Sequence, residues 1–124
     1  MNKVLIVDDS ATMRKIIMRV LRQAEIAVDS VIEAGNGVEG LAALVANPDI
    51  GLILSDVNMP EMNGLDFVKA VRCSHSKEQL PVIMVTTEGG STVLGTAMQL
   101  GANGHVSKPF TPESIRSVLG PYVS

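Results

Sequence analysis

Short apolar runs rich in β-branched residues alternate along the chain with longer stretches whose apolar residues recur every three or four positions. Val4 to Val7, Ser30 to Ala34, Leu52 to Ser55, Val82 to Val85 and Gly104 to Ser107 have the length and composition of strands. The clearest helical stretch carries Met13, Ile16, Ile17, Val20, Leu21 and Ala24 as one stripe behind Ser10, whose hydroxyl can cap the first turn. Further helices are expected to begin near Gly37, Gly64, Ser91 and Thr111. The last opens Thr111-Pro112-Glu113: a capping hydroxyl, a proline at the first helical position and an acid near the positive helix end. Strict alternation of strand and helix, with strands apolar on both faces, predicts an α/β domain. Its core is a doubly wound five-stranded parallel sheet with helices on both faces, joined by right-handed crossovers. No repeat, linker or low-complexity tract divides the 124 residues, so one domain over 1–124 with no output domain is expected.

Composition narrows the setting. Cys73 is the only cysteine and no His/Cys cluster has metal-ligand spacing, which points to a reducing, cytoplasmic compartment. The apolar run before Asp8 is too short for a signal peptide or a membrane span. Ten basic against thirteen acidic residues, with no long basic run, disfavour direct nucleic-acid binding. With two Phe, one Tyr and no Trp, the interior is aliphatic rather than a stacking surface. The seven Met residues read as core filler, and Cys73 and His75 as passive. Arg14, Lys15, Arg19 and Arg22 lie opposite the stripe of the first helix, as a solvated face does. Gly95 falls inside the fourth helix, where glycine costs about 1 kcal/mol relative to Ala. That segment is expected to be weakly held.

Ligands of such sheets bind beyond the carboxyl ends of the strands. Here the strands are followed by Asp8 and Asp9, by Asp56, by Thr86 and Thr87, and by Lys108. Singly, Asp8 and Asp9 would be acids at a positive helix end, Asp56 a turn former and Lys108 a solvated charge. Together they deliver acids, a hydroxyl and an ammonium to one rim. Three close carboxylates repel one another unless a cation compensates. Mg²⁺ takes oxygen ligands, which Asp8, Asp9 and the carbonyl of Asn58 can supply. Asp56 is then available as a nucleophile for a phosphoryl group, with Thr86 and Lys108 stabilising its charge.

The segments "VDDS" (7–10), "SDVNMPEMNG" (55–64), "PVIMVTTEGG" (81–90) and "GANGHVSKPF" (101–110) resemble the response-regulator receiver domain, most of all its single-domain chemotaxis members. The resemblance spans the whole chain. It implies a flavodoxin-like sheet of order 2-1-3-4-5. It implies Asp56 as phosphoacceptor, Asp8, Asp9, Asp56 and Asn58 around Mg²⁺ (or Mn²⁺), and Thr86 with Lys108 as the groups that sense the phosphoryl oxygens. Lys108-Pro109 resembles the family's cis peptide, and Asn58 with Glu88 resembles residues that allow rapid loss of the phosphoryl group. A histidine kinase or histidine phosphotransfer protein is the implied donor, touching Ala11, Arg14 and Met18. A downstream protein is the implied target, on the face of helix 4, strand 5 and helix 5 that holds Thr86, Glu88, His105, Lys108 and Pro109. The implied role is a signalling phosphoacceptor and not an enzyme, with only self-catalysed phosphorylation and dephosphorylation. Two positions depart from the pattern. His105 replaces the usual aromatic and is expected to be partly buried, and Gly89, Gly90 and Ser91 replace a lysine-bearing segment.

Two rival readings belong to other classes. A haloacid-dehalogenase-like phosphatase would need a second acid two residues after its nucleophile, where this chain has Asn58, and a cap that the chain lacks. A module that never accepts phosphate is disfavoured by the intact Asp8, Asp9, Asp56, Thr86 and Lys108, which leave open a drain for a shared kinase.

Overall fold

The computed structural model describes residues 3–26, 28–57, 59–86, 91–107 and 111–122, without the side chains of 91–94. Strands β1 (Lys3–Val7), β2 (Ser30–Ala34), β3 (Leu52–Asp56), β4 (Val82–Thr86) and β5 (Gly104–Ser107) alternate with helices α1 (Ala11–Gln23), α2 (Gly37–Ala46), α3 (Gly64–Arg72), α4 (Ser91–Leu100) and α5 (Pro112–Leu119). All strand pairs are parallel, and the spatial order is β2-β1-β3-β4-β5. The expected strands are therefore present. β3 and β4 each run one residue further than their apolar runs, to Asp56 and Thr86, because those residues still pair with Val85 and Ser107 on the neighbouring strands.

Side-chain alternation along each strand divides the interior in two. Val4, Ile6, Leu52, Leu54, Ile83 and Val85 face one side and pack with Ile17, Leu21, Ile115 and Leu119 of α1 and α5. Leu5, Val7, Ile53, Val82 and Met84 face the other, against Leu44, Phe67, Val68, Val71 and Ala97 of α2, α3 and α4. The three central strands are closed to water on both faces, as their unbroken apolar runs require. Asparagine side chains cap two of the helices that the sequence starts only approximately: Asn36 accepts from Glu39 N–H and Asn63 from Asp66 N–H, each at 2.9 Å. The expected caps Ser10 and Thr111 are also in place, accepting from Met13 and Ser114.

The amino-end rim of the sheet is fastened by one guanidinium. Arg72, the last residue of α3, donates to the carbonyls of Gly101 (2.8 Å), Leu80 (2.8 Å), Ser76 (3.1 Å) and His75 (3.3 Å) and to Asn103 Oδ1 (2.9 Å). The same Asn103 oxygen accepts from Val82 N–H at 3.0 Å, so the entries to β4 and β5 hang on one side chain pair. Burial lowers the Arg72 pKa below the ordinary guanidinium value, with Glu78 opposing, yet the group stays charged because that value is so high. Gly101 has φ +116, and a Cβ there would stand 2.7 Å from Arg72 Cγ, so this loop admits only glycine beside the clamp.

Three expectations fail on packing grounds. Met98 is 41% exposed, so the methionines are not uniformly core filler; Met84 is the fully buried one among the described residues. His105 is exposed rather than partly buried, because β5 is an edge strand on which Val106 takes the inward position. Arg14 is not a solvated charge: it pairs with Glu33 at 2.9 Å, with 18% of its side chain exposed.

Replacing Arg72 by Ala is expected to lower unfolding free energy by about 2–4 kcal/mol, since several part-buried carbonyls lose a charged donor, and Lys, lacking the fork, should recover less than half. Urea unfolding of the two variants checks this. Glu25 ends α1 at φ 60, with Ile26 N–H donating to Leu21 O at 3.1 Å in the manner of a Schellman cap. Because a side chain is strained there, Glu25→Gly should raise the thermal midpoint, by a gain of roughly 0.5–1 kcal/mol. A fall would mean that the Arg116–Glu25 pair at 3.2 Å outweighs the backbone strain.

Candidate functional site

The carboxyl-end rim is built from the last residues of the strands and the turns that follow. β1 delivers Asp8, 1% exposed, and the exposed Asp9; β3 ends on the half-buried Asp56; β4 ends on Thr86, 2% exposed. β1 and β3 are neighbours in the sheet, with Val7 opposite Ser55, which puts the two acid-bearing ends side by side. Asp56 in turn lies opposite Val85, one residue short of Thr86. Each of Asp8, Asp9 and Asp56 offers a carboxylate oxygen, and these oxygens all lie within 4.8 Å of one another.

Local bonding explains why the acids sit still. Asp8 N–H donates to the Ala34 carbonyl at 3.0 Å, continuing the β1–β2 ladder one residue beyond the strand. Asp8 Oδ1 accepts from Ser10 N–H at 2.9 Å, so the carboxylate also faces the positive end of α1. The helix-end role and the site role thus coexist in one residue. Asp56 Oδ1 accepts from Val57 N–H at 2.7 Å, which holds the carboxylate in one orientation. Behind it, the buried Ser55 hydroxyl donates to the Asp56 carbonyl at 2.9 Å. The turn after β3 then folds back, and Gly64 N–H donates to Val57 O at 2.7 Å. A Cβ on Gly64 would stand 2.1 Å from the Asp56 carbonyl oxygen, so only glycine lets α3 start directly behind the acid.

An all-oxygen set of three carboxylates suits a hard divalent cation and no softer one. With their oxygens within 4.8 Å of one another, these acids are close enough that they would share one small divalent ion once their side chains draw in around it.

Of the residues singled out by sequence, Asp8, Asp9, Asp56 and Thr86 come together at this rim. Asn58, Thr87, Glu88, Lys108 and Pro109, with the expected cis peptide, lie outside the described residues. His105 lies short of the rim on β5, opposite Met84 and two residues before the level of Thr86, and lines a shallow cavity of about 390 Å³ with Val106, Ser107, Thr111, Ser114 and Val118. Sequence reasoning missed Gly64, Ser55 and the inward-turned Arg14. Only Gly64 left a signal, an Asn-Gly pair closing the loop after Asp56.

Comparison with known proteins agrees with this geometry. Residues 4–120 match the response regulator receiver domain family. The chain is 47% identical over 117 residues to a chemotaxis protein CheY homolog of Campylobacter jejuni, covering 94% of this chain and 88% of that protein. It is 46% identical over 117 residues to chemotaxis protein CheY1 of Helicobacter pylori, covering 94% and 93%. Among solved structures, Vibrio cholerae chemotaxis protein CheY4 superposes with a TM-score of 0.85 at 37% identity, covering 99% of both chains. A receiver match across nearly the whole sheet, with acids at the ends of β1 and β3, assigns the chain: it belongs to the response regulator receiver domain family.

Proposed function

We propose that this receiver accepts a phosphoryl group on Asp56 from a phosphohistidine donor or a small acyl phosphate and hands the signal to another protein. The convergence of the Asp8, Asp9 and Asp56 oxygens within 4.8 Å carries the reading, because three carboxylates this close suit a divalent cation that offsets their repulsion and can also meet the oxygens of an incoming phosphoryl group. Asp56, held by the Val57 N–H, attacks phosphorus with one carboxylate oxygen. The P–N bond to the donor imidazole, or the P–O bond of the acyl phosphate, breaks and its electron pair leaves with the donor. Asp8, Asp9 and Asp56, with the Asn58 carbonyl, would hold Mg²⁺, which when bound neutralises charge on the phosphoryl oxygens and aligns them. The Thr86 hydroxyl and the Lys108 ammonium then draw toward the new oxygens.

Their movement biases the face made by α4, β5 and α5 toward a state that a target protein binds better, since only differential contacts shift such an equilibrium. The names of the similar proteins favour chemotaxis as the process. The cytoplasm suits a chain with one exposed cysteine in which, among the described residues, no helix is long and apolar enough to cross a membrane. Since Arg14 turns inward, donor docking on α1 falls to Ala11, Lys15, Met18 and Arg22, which share one helical face.

Incubation with acetyl phosphate and Mg²⁺, read by intact mass, is expected to add one phosphoryl group to the wild type and none to Asp56→Asn, with chelator abolishing the gain. Modification of Asp56→Asn to the wild-type extent would refute the assignment. Lys15→Glu should slow transfer from the phosphohistidine donor about tenfold while leaving acetyl phosphate labelling unchanged, because it alters docking and not the acids. Equal slowing with both donors would place Lys15 in the reaction site instead.

A further inference from the structure

Asp8 is the most deeply buried of the three acids, and its backbone is held from the edge of the sheet as well as from its own turn. Its carbonyl accepts from Arg14 Nη1, one turn into α1. The Nε of the same guanidinium donates to Glu33 Oε1 at 2.9 Å. Glu33 belongs to the outermost strand β2 and precedes Ala34, whose carbonyl takes the Asp8 N–H. Arg14 is mostly covered and Glu33 is 42% exposed, an ion pair that by itself adds little to stability. The planar fork is better suited to orientation: one nitrogen is fixed by the carboxylate of β2 while another aims at the Asp8 carbonyl.

We propose that Arg14, oriented by Glu33, is a positioning residue for the cation site: it keeps Asp8 aligned with Asp9 and Asp56 before the ion arrives. The inference rests on the cation reading given under Proposed function. Its physical ground is repulsion among the three carboxylates, which loads the turn after β1. The Asp8 backbone is held against that load by the Ala34 carbonyl on its N–H and by Arg14 on its carbonyl. Loss of the Arg14 contact loosens the turn, so part of the ion's binding energy goes into aligning the acids. The cost then appears in ion affinity, as it does when groups that orient metal ligands are removed elsewhere. The phosphoryl step itself, once the ion is in place, is unaffected.

Mg²⁺ titration of the full chain by calorimetry tests this, alongside acetyl phosphate labelling at graded Mg²⁺. Arg14→Met is expected to weaken Mg²⁺ binding about tenfold, and Glu33→Gln, a surface change that leaves the core intact, about threefold. Arg14→Lys, which keeps the charge but serves only one of the two acceptors, should fall between wild type and Arg14→Met. The Mg²⁺ concentration for half-maximal labelling should rise by the same factors, with the rate at saturating Mg²⁺ within about twofold of wild type. Unchanged Mg²⁺ affinity in Glu33→Gln and Arg14→Lys overturns the proposal, as does a labelling rate that saturating Mg²⁺ fails to restore. Failure of the wild type itself to bind Mg²⁺ is a separate result: it overturns the cation reading, and this inference with it.

Discussion

Mutual repulsion of the Asp8, Asp9 and Asp56 carboxylates is the force against which the rest of the domain is arranged. Like charges this close favour separation, and the chain prevents it by mounting them on neighbouring strands of one sheet. The strands cannot move apart without opening two aliphatic interiors, one on each face, in which Leu5, Ile6, Ile53, Leu54, Ile83 and Met84 are all fully buried. Hydrophobic burial, which has no directional preference, thus fixes groups whose usefulness depends on direction. The backbone donors at Val57 and Ser10 supply the final aim.

The two rims of the sheet are stiffened differently. At the amino end, Arg72 and Asn103 knit the entries to β4 and β5 to the end of α3 through backbone carbonyls and one shared amide oxygen. At the carboxyl end, among the described residues, Arg14 ties the turn after β1 through the Asp8 carbonyl and Gly64 N–H ties the turn after β3 to Val57, and these turns carry the charged groups. α4 spans these two regimes. Its carboxyl end meets the Arg72 clamp at Gly101, while Gly95 within it has open space where a Cβ would be. A helix tied at its carboxyl end and carrying a glycine in open space is less firmly held in its middle, and in the chain it follows β4, which ends at Thr86.

Much of this was legible in the chain. The five apolar runs mark the strands because buried parallel strands must be apolar on both faces, and the residues that follow them mark the rim because the topology sends every strand end to the same side. The strand order came from the family resemblance, as no local pattern specifies which runs are neighbours. What stayed hidden depends on contacts across the fold. Arg14 reads as a solvent-facing cation by helical position, yet Glu33, nineteen residues away, and the Asp8 carbonyl turn it inward. His105 reads as a half-buried replacement for an aromatic, but the outer position of β5 leaves it on the surface. Gly64 announces a turn, whereas its closeness to the Asp56 carbonyl is a distance that only folding creates.

Cys73 follows α3 at its far end, exposed, and is the only thiol in the chain. Since α3 begins behind Asp56 and runs back along the sheet for nine residues, the sulfur stands a helix length of about 13 Å or more from the acids. A maleimide dye or a surface tether placed there needs no engineered handle. Immobilised through it, every molecule would present its acidic rim outward to a passing donor.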